Sequence, residues 1–197
     1  MIESKVLGES VKTFSFFGYE PNDLGGFDNE TSLVNQWVKF SLKVMISHLS
    51  KIHQDITFIS GCSPGTETWA AEEVVNIRAH HEERNIKLLV ALPFQNMSGR
   101  DSEGTPVAPR PWPLKSHERM KTILESADDS VTVDEGSTLT LKTSSRDTWV
   151  LERSYGTLFV VDDDVKNARL IEALDAAEKN HTQCCIINPS TEQIYVL

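Results

Sequence analysis

The chain has 197 residues, 39% hydrophobic and 24% charged, which fits a globular protein able to bury a core without a disulfide or metal staple. With 19 basic and 29 acidic residues its formal net charge is −10, which is expected to exclude binding to a nucleic-acid backbone while leaving a local pocket free to hold one small anionic ligand. No apolar run approaches the ~20 residues of a membrane span, and MIESKVLGES lacks a signal peptide's apolar core, so a cytoplasmic protein with no membrane partner is expected.

KTFSFFG, Lys12–Gly18, reads as a first strand. ETSLVNQWVKFSLKVMISHLS reads as a helix that packs inward through Leu33, Trp37, Phe40 and Val44, a face widened by Val38, Leu42, Met45 and Leu49. DITFISG is a second strand, and the helix after Gly65 carries Ala70, Val74, Ile77 and His81 on one face. IKLLVALPF is almost continuously apolar, as a parallel strand covered on both faces would be. The stretch 95–115 holds four prolines and two glycines and is expected to be a loop insertion, either a flap or a disordered segment, with Trp112 favouring the flap. SVTVDE is a fourth strand, GTLFVVDDD a fifth and QCCIINP a sixth, with QIYVL as a short edge strand. Between them NARLIEALDAAEKN is a helix with Leu170, Ile171, Leu174 and Ala177 inward. Cys184 and Cys185 in the sixth strand are read as buried free thiols. Strands alternating with helices predict an α/β fold: a Rossmann-like three-layer sandwich with a mainly parallel sheet of six or seven strands, forming a single domain over 1–197.

In such a sheet ligands collect beyond the carboxyl ends of the strands, so the turns that follow strands are the informative places. The first is FGYEPNDLGGF, where Gly18 leaves the strand and Tyr19 is expected to be exposed, with Gly25 and Gly26 permitting unusual backbone angles. It is either a plain turn or a loop floor beside a base or ribose. The second is SGCSPGTETWAAEE. Here Gly61 and Gly65 admit backbone amides to an anion, and Ser63 and Thr66 add hydroxyls at the start of a helix. Glu67 would accept from ribose hydroxyls, or merely complement the helix dipole. Cys62, near that helix start, could have a lowered pKa, but no histidine is placed beside it. The third turn is SSRDTWVLERSYGTLFVVDDD. Arg146 and Arg153 lie seven apart and share a face if the segment is helical, either reaching a phosphate or pairing with Asp147 and Glu152. Asp162, Asp163 and Asp164 could meet a ribose or a metal, or form a solvated acidic turn. His80 and His81 have no partner at metal-ligand spacing, so no metal site is expected.

Taken together, FFGYEPNDLGGF, SGCSPGTETWAAE, ALPF and SRDTWVLERSYGTLFVVDDD resemble the YpsA-like family of the SLOG superfamily, which is related to DprA and the LOG phosphoribohydrolases. The resemblance runs from about Phe14 to Pro189. It implies a Rossmann-like fold with a pocket for a nucleotide-derived ligand of the NAD or ADP-ribose kind, no resident cofactor, and assembly as a homodimer or larger homo-oligomer. It carries ligand contact onto Gly18, Tyr19, Gly61, Gly65, Glu67, Arg146, Trp149 and Arg153, while Trp69 matches but reads as packing. The chain departs from the family pattern at Glu20, where a basic residue is usual, at Asp147 for Asn, and at Tyr155 for Asp. VKNARLIEAL has no glycine where a phosphate loop often stands, and the LOG motif PGGxGTxxE is absent.

Three functions follow. The first is a sensor or sequestering module for a small nucleotide-derived ligand, of the kind proposed for SLOG proteins in conflict systems. The second is an N-glycosidic hydrolase using Glu67 or Asp162. The third is an interaction protein with a vestigial pocket, bound through its Pro-rich loop.

Overall fold

The structure, a computed structural model, describes residues 11–20, 23, 31–134 and 138–197. Gly25, Gly26 and Glu135 lie outside the described residues. The element order is β1 (Lys12–Gly18), α1 (Leu33–Ile52), β2 (Asp55–Ser60), α2 (Thr66–His80), β3 (Asn85–Leu92), α3 (Leu114–Ser126), β4 (Asp129–Thr132), α4 (Leu139–Glu152), β5 (Gly156–Val160), α5 (Ala168–Lys179), β6 (Gln183–Asn188) and β7 (Gln193–Val196).

The seven strands form one sheet in the order β4-β3-β2-β1-β5-β6-β7, parallel throughout except for the antiparallel edge strand β7. Right-handed crossovers from β1 outward to β4 put α1, α2 and α3 together on one face, and the return through β5 to β6 puts α4 and α5 on the other. This is the Rossmann-like three-layer sandwich that the sequence predicts. The sheet's centre is apolar on both sides because β1, β2 and β5 are covered twice: Phe16 stacks on Phe58 at 5.6 Å and Phe17 on Phe159 at 5.5 Å. Strand order reverses between β1 and β5, so the carboxyl ends of these two strands mark the topological switch point.

Several sequence readings shift. α1 buries Val38, Leu42, Ile46 and Leu49, whereas Leu33, Phe40 and Val44, expected inside, face solvent. Both faces of this helix are apolar, and spacing alone does not choose between them. In α5 the inward residues are Leu170, Ala173 and Ala177, while Ile171 is exposed, because small alanines let the helix approach the sheet. α3 has no counterpart in the sequence reading. Its sparse apolar face, Met120 and Ile123 with His117, follows directly on the proline cluster. The Pro-rich stretch ahead of α3 is held by Arg100, whose Nε and Nη1 donate to the carbonyls of Trp112 and Gly104, both at 2.6 Å. Trp112 packs against the core there. Cys184 is buried and Cys185 half-buried, both as free thiols.

Candidate functional site

A cleft of about 380 Å³ opens at the switch point, lined by Tyr19 and Asp23 after β1 and by Asp162, Asp164, Lys166 and Asn167 between β5 and α5. Tyr19 forms its floor. Its hydroxyl donates to Asp162 Oδ2 at 3.0 Å and accepts from the Asp162 amide at 3.1 Å. The other carboxylate oxygen, Oδ1, accepts from the Ser190 amide at 3.1 Å. Tyr19 is therefore buried rather than exposed, its hydroxyl anchored by Asp162. Burial, with the neighbouring Asp162 carboxylate, pushes its hydroxyl up to about 12, although the Asp162 amide works against the shift. Asn167 caps α5 by accepting from the amides of Arg169 and Leu170 at 3.1 and 3.4 Å.

Behind the cleft, the glycine-bearing corner at Ser60 to Ala71 is wholly buried. Gly18 permits this, since a β-carbon there would lie 2.6 Å from Thr66 Oγ1 and 2.8 Å from Val160 Cβ. The amide and hydroxyl of Thr66 both donate to the Tyr19 carbonyl, at 3.2 and 3.0 Å. The Cys62 amide donates to Ser60 Oγ at 3.1 Å, and the Ser63 amide to Glu67 Oε2 at 3.3 Å. These donors, expected to face an anion, are spent on the protein itself. Gly65 takes φ 92° and ψ −128° as the N-cap of α2, a backbone region that only glycine enters easily. Burial, together with the nearby Glu67 carboxylate and despite the Ser60 contact, drives the Cys62 thiol up to about 12. This is the reverse of the lowered pKa expected at a helix start, because burial of the sulfur outweighs the nearby Arg146 charge that acts to lower it.

Glu67 belongs to a ring of four charges, of which Arg169 is half-buried and the other three are buried. Its Oε2 meets Arg146 Nη1 at 3.2 Å and its Oε1 meets Arg169 Nη2 at 2.6 Å. Asp147 closes the ring through Arg146 Nε at 2.7 Å and Arg169 Nε at 2.6 Å. Burial alone would raise the Glu67 carboxyl, but the two guanidiniums, the Arg169 hydrogen bond and the Ser63 amide outweigh it and hold it at about 2. Arg169 is driven up by Glu67 and Asp147 against the effect of its own burial. Two acids and two bases cancel, which is how four charges are tolerated inside a fold. Among the described residues neither Nε nor Nη2 of Arg146 has an aligned hydrogen-bond partner, although Nε is ion-paired. Glu20 stands next to the ring, its carboxyl raised by burial and by Glu67 and Asp23 while Arg169 and Arg146 oppose the shift.

The structure thus brings together Gly18, Tyr19, Gly61, Cys62, Ser63, Gly65, Thr66, Glu67 and Arg146, with Asp162 on the cleft's rim, but not Arg153. That residue lies at the carboxyl end of α4, two turns and about 10 Å along the axis from Arg146. Its guanidinium sits 4.2 Å from the Trp149 ring centroid, beside a separate cleft of about 430 Å³ on the outer face of α4. Trp69 is buried, as its helical position suggests. Sequence reading passed over Arg169, Lys166 and Asn167. The available signal was an Asn in N-cap position followed by Arg in the first turn, directly after three aspartates. Among the described residues no group of three or more His, Cys, Asp or Glu side chains is arranged to hold a metal, and no helix is long and apolar enough to cross a membrane.

The fold is shared with known proteins. A structure of DNA processing protein A from Helicobacter pylori, described for its single-stranded DNA binding mode, superposes with a TM-score of 0.55 at 12% identity, covering 89% of this chain and 64% of that protein. At that identity the likeness is one of fold. It nevertheless overturns the expectation, drawn from net charge, that a nucleic-acid partner is excluded: a single-stranded DNA binder is built on this fold, and net charge describes a whole surface rather than one face of it. No curated protein matches the chain. The model of the YspA SLOG family (YpsA) matches residues 14–191, nearly the full length, and the chain belongs to that family.

Proposed function

We propose that this protein is a binding module for a small nucleotide-derived ligand, with the ligand's ribose in the switch-point cleft. The observation that carries this reading is the cleft's position at the strand-order reversal, combined with its lining. A space of about 380 Å³ is within the range of small-molecule sites. Asp23, Asp162 and Asp164 outnumber Lys166, so the lining favours hydroxyl donors over a bare phosphate, and ribose hydroxyls supply such donors. Arg146, buried behind the cleft with its Nη2 lacking a hydrogen-bond partner among the described residues, is the candidate anion contact, because buried guanidinium atoms are normally paired. Glu67, fully engaged and held ionised, is positioned to organise the two arginines rather than to transfer a proton.

The test is native mass spectrometry of the purified protein before and after denaturation, with a thermal-shift screen of NAD, ADP-ribose, AMP and cyclic dinucleotides. A ligand present at 100 times its dissociation constant adds about 2.7 kcal/mol of stability, well within detection. A compound that is released unchanged and shifts the midpoint supports the reading. A compound recovered as free base and sugar phosphate replaces it with an N-glycosidase. No compound bound and no shift refutes it.

The shared fold favours a second reading, in which one nucleotide of a single strand occupies the same cleft. Titration with single-stranded oligonucleotides at two salt concentrations separates the two. Strand binding weakens steeply with salt because phosphate contacts release counterions, whereas a ligand held through its ribose responds weakly.

A further inference from the structure

The cleft of about 430 Å³ on α4 is larger than the one at the switch point. A single stripe of the helix lines it: Leu141, Ser144, Ser145, Thr148, Trp149 and Glu152, spaced by the threes and fours that keep side chains on one side. Arg153 lines its carboxyl end, and Val133, which follows β4, adds an apolar contribution from the sheet edge.

A hydroxyl in a helix can satisfy itself on the carbonyl four residues earlier. Ser50, Thr122, Ser126 and Thr143 all do so, at 2.8, 3.1, 2.8 and 3.0 Å. The three hydroxyls that line the cleft do not. Among the described residues, Ser144, Ser145 and Thr148 have no side-chain hydrogen-bond partner. Beside them Arg153 holds its guanidinium 4.2 Å from the Trp149 ring centroid. Its Nη1 donates to the Trp149 carbonyl at 3.1 Å and lies 3.7 Å from Glu152 Oε2.

The charge balance indicates what these groups would meet. Glu152 and Arg153 cancel, so the lining is neutral, and both lie at the carboxyl end of α4, where the helix dipole disfavours an anion. A phosphate is poorly served there. An uncharged sugar ring fits better, because its adjacent hydroxyls each donate and accept. Serine and threonine hydroxyls do the same, a carboxylate accepts and a guanidinium donates. Val133, Leu141 and Trp149 give the ring's C–H face apolar surface.

We propose that the α4 cleft is a second binding site, for an uncharged polyhydroxylated ring: a free saccharide, or the ribose of an unphosphorylated nucleoside. It does not depend on what occupies the switch-point cleft.

The test is titration of the full chain with glucose, maltose and adenosine, with glucose 6-phosphate and AMP as the charged counterparts. Binding is read from the Trp149 indole N–H signal in NMR spectra, assigned with Trp149→Phe. At least one uncharged compound should shift that signal and bind at least about tenfold more tightly than its phosphorylated counterpart. A response to the sugars alone identifies a saccharide site, and a response to adenosine alone a nucleoside site. Joint Ser145→Ala and Thr148→Val should weaken binding about tenfold at an unchanged thermal midpoint, since neither hydroxyl serves the fold. Asp162→Asn should leave the Trp149 response intact. No response from any compound, or a response as strong to the phosphorylated ones, would overturn the proposal. So would loss of the response in Asp162→Asn, which would place the compound at the switch point, or full affinity in the joint variant.

Discussion

Gly61 and Arg146 share one space: a β-carbon on Gly61 would coincide with Nη1 of Arg146 and collide with Oε2 of Glu67. The glycine at the end of β2 therefore admits a guanidinium across the end of the sheet. Gly61→Ala should lower stability by about 3 kcal/mol or more, because the arginine is displaced from a buried ion pair. In an Arg146→Ala background the same substitution should cost little beyond the loss of Arg146 itself. A double-mutant cycle in urea reads the coupling directly. Additive losses would show that the two residues do not contend for the space.

Gly65 sits where φ is 92° and ψ is −128°. A β-branched side chain there should cost about 1–3 kcal/mol in backbone strain. Gly65→Val should fold, but with the first turn of α2 displaced, which breaks the two Thr66 bonds to the Tyr19 carbonyl. Ligand-induced thermal shifts should shrink along with stability. A variant as stable as the parent would mean that the chain reaches α2 through another backbone conformation at no cost.

Tyr19→Phe removes one hydroxyl that serves two partners, the Asp162 carboxylate and the Asp162 amide. The loss leaves a part-buried amide without its acceptor, worth about 1–3 kcal/mol. Asp162 keeps its Ser190 contact, so the cleft stays formed while its carboxylate is freer to turn. The expected result is a lower urea midpoint and weaker retention of any ribose-bearing ligand found in the screen. Unchanged affinity with lowered stability would confine Tyr19 to a structural part.

The fold was legible because its strands are short apolar runs at regular spacing, and the parallel ones read as covered on both faces. α3 was not, because three buried residues in a polar segment after a proline cluster leave a weak periodic signal. The site was legible in part. The corners after β1, β2 and β5 do converge, since topology alone dictates it. Whether a donor in a corner faces a ligand or a neighbouring chain segment is set by packing. Thr66 turns towards Tyr19, and Arg146 towards Glu67, for reasons that lie about 50 and 80 residues away in sequence. Arg169 escaped notice because its importance comes from bridging Glu67 and Asp147, a relation with no local pattern. Phe40 and Val44 were placed inside because an apolar residue at helical spacing reads as core unless something marks the helix as apolar on both sides.

Glu67 is held at about 2, below its ordinary 4.5, by Arg146 and Arg169 acting against its burial. Between these two values the unfolded chain takes up a proton that the folded chain refuses, so protonation favours unfolding. The contribution of this carboxylate to stability is complete above about pH 4.5 and is lost as pH falls through the window towards 2. Glu67→Gln removes that dependence and leaves the buried Arg146 and the half-buried Arg169 short of a countercharge, a loss of about 3 kcal/mol at neutral pH. Parent and variant should therefore differ most in urea midpoint at pH 7 and converge on acidification below pH 4.5. Asp147 still pairs with both arginines, so the variant should remain folded at neutral pH. A gap between the two proteins that stays constant down to the lower end of the window would show that Glu67 is not ionised in the ring, and the electrostatic account of this corner would fail.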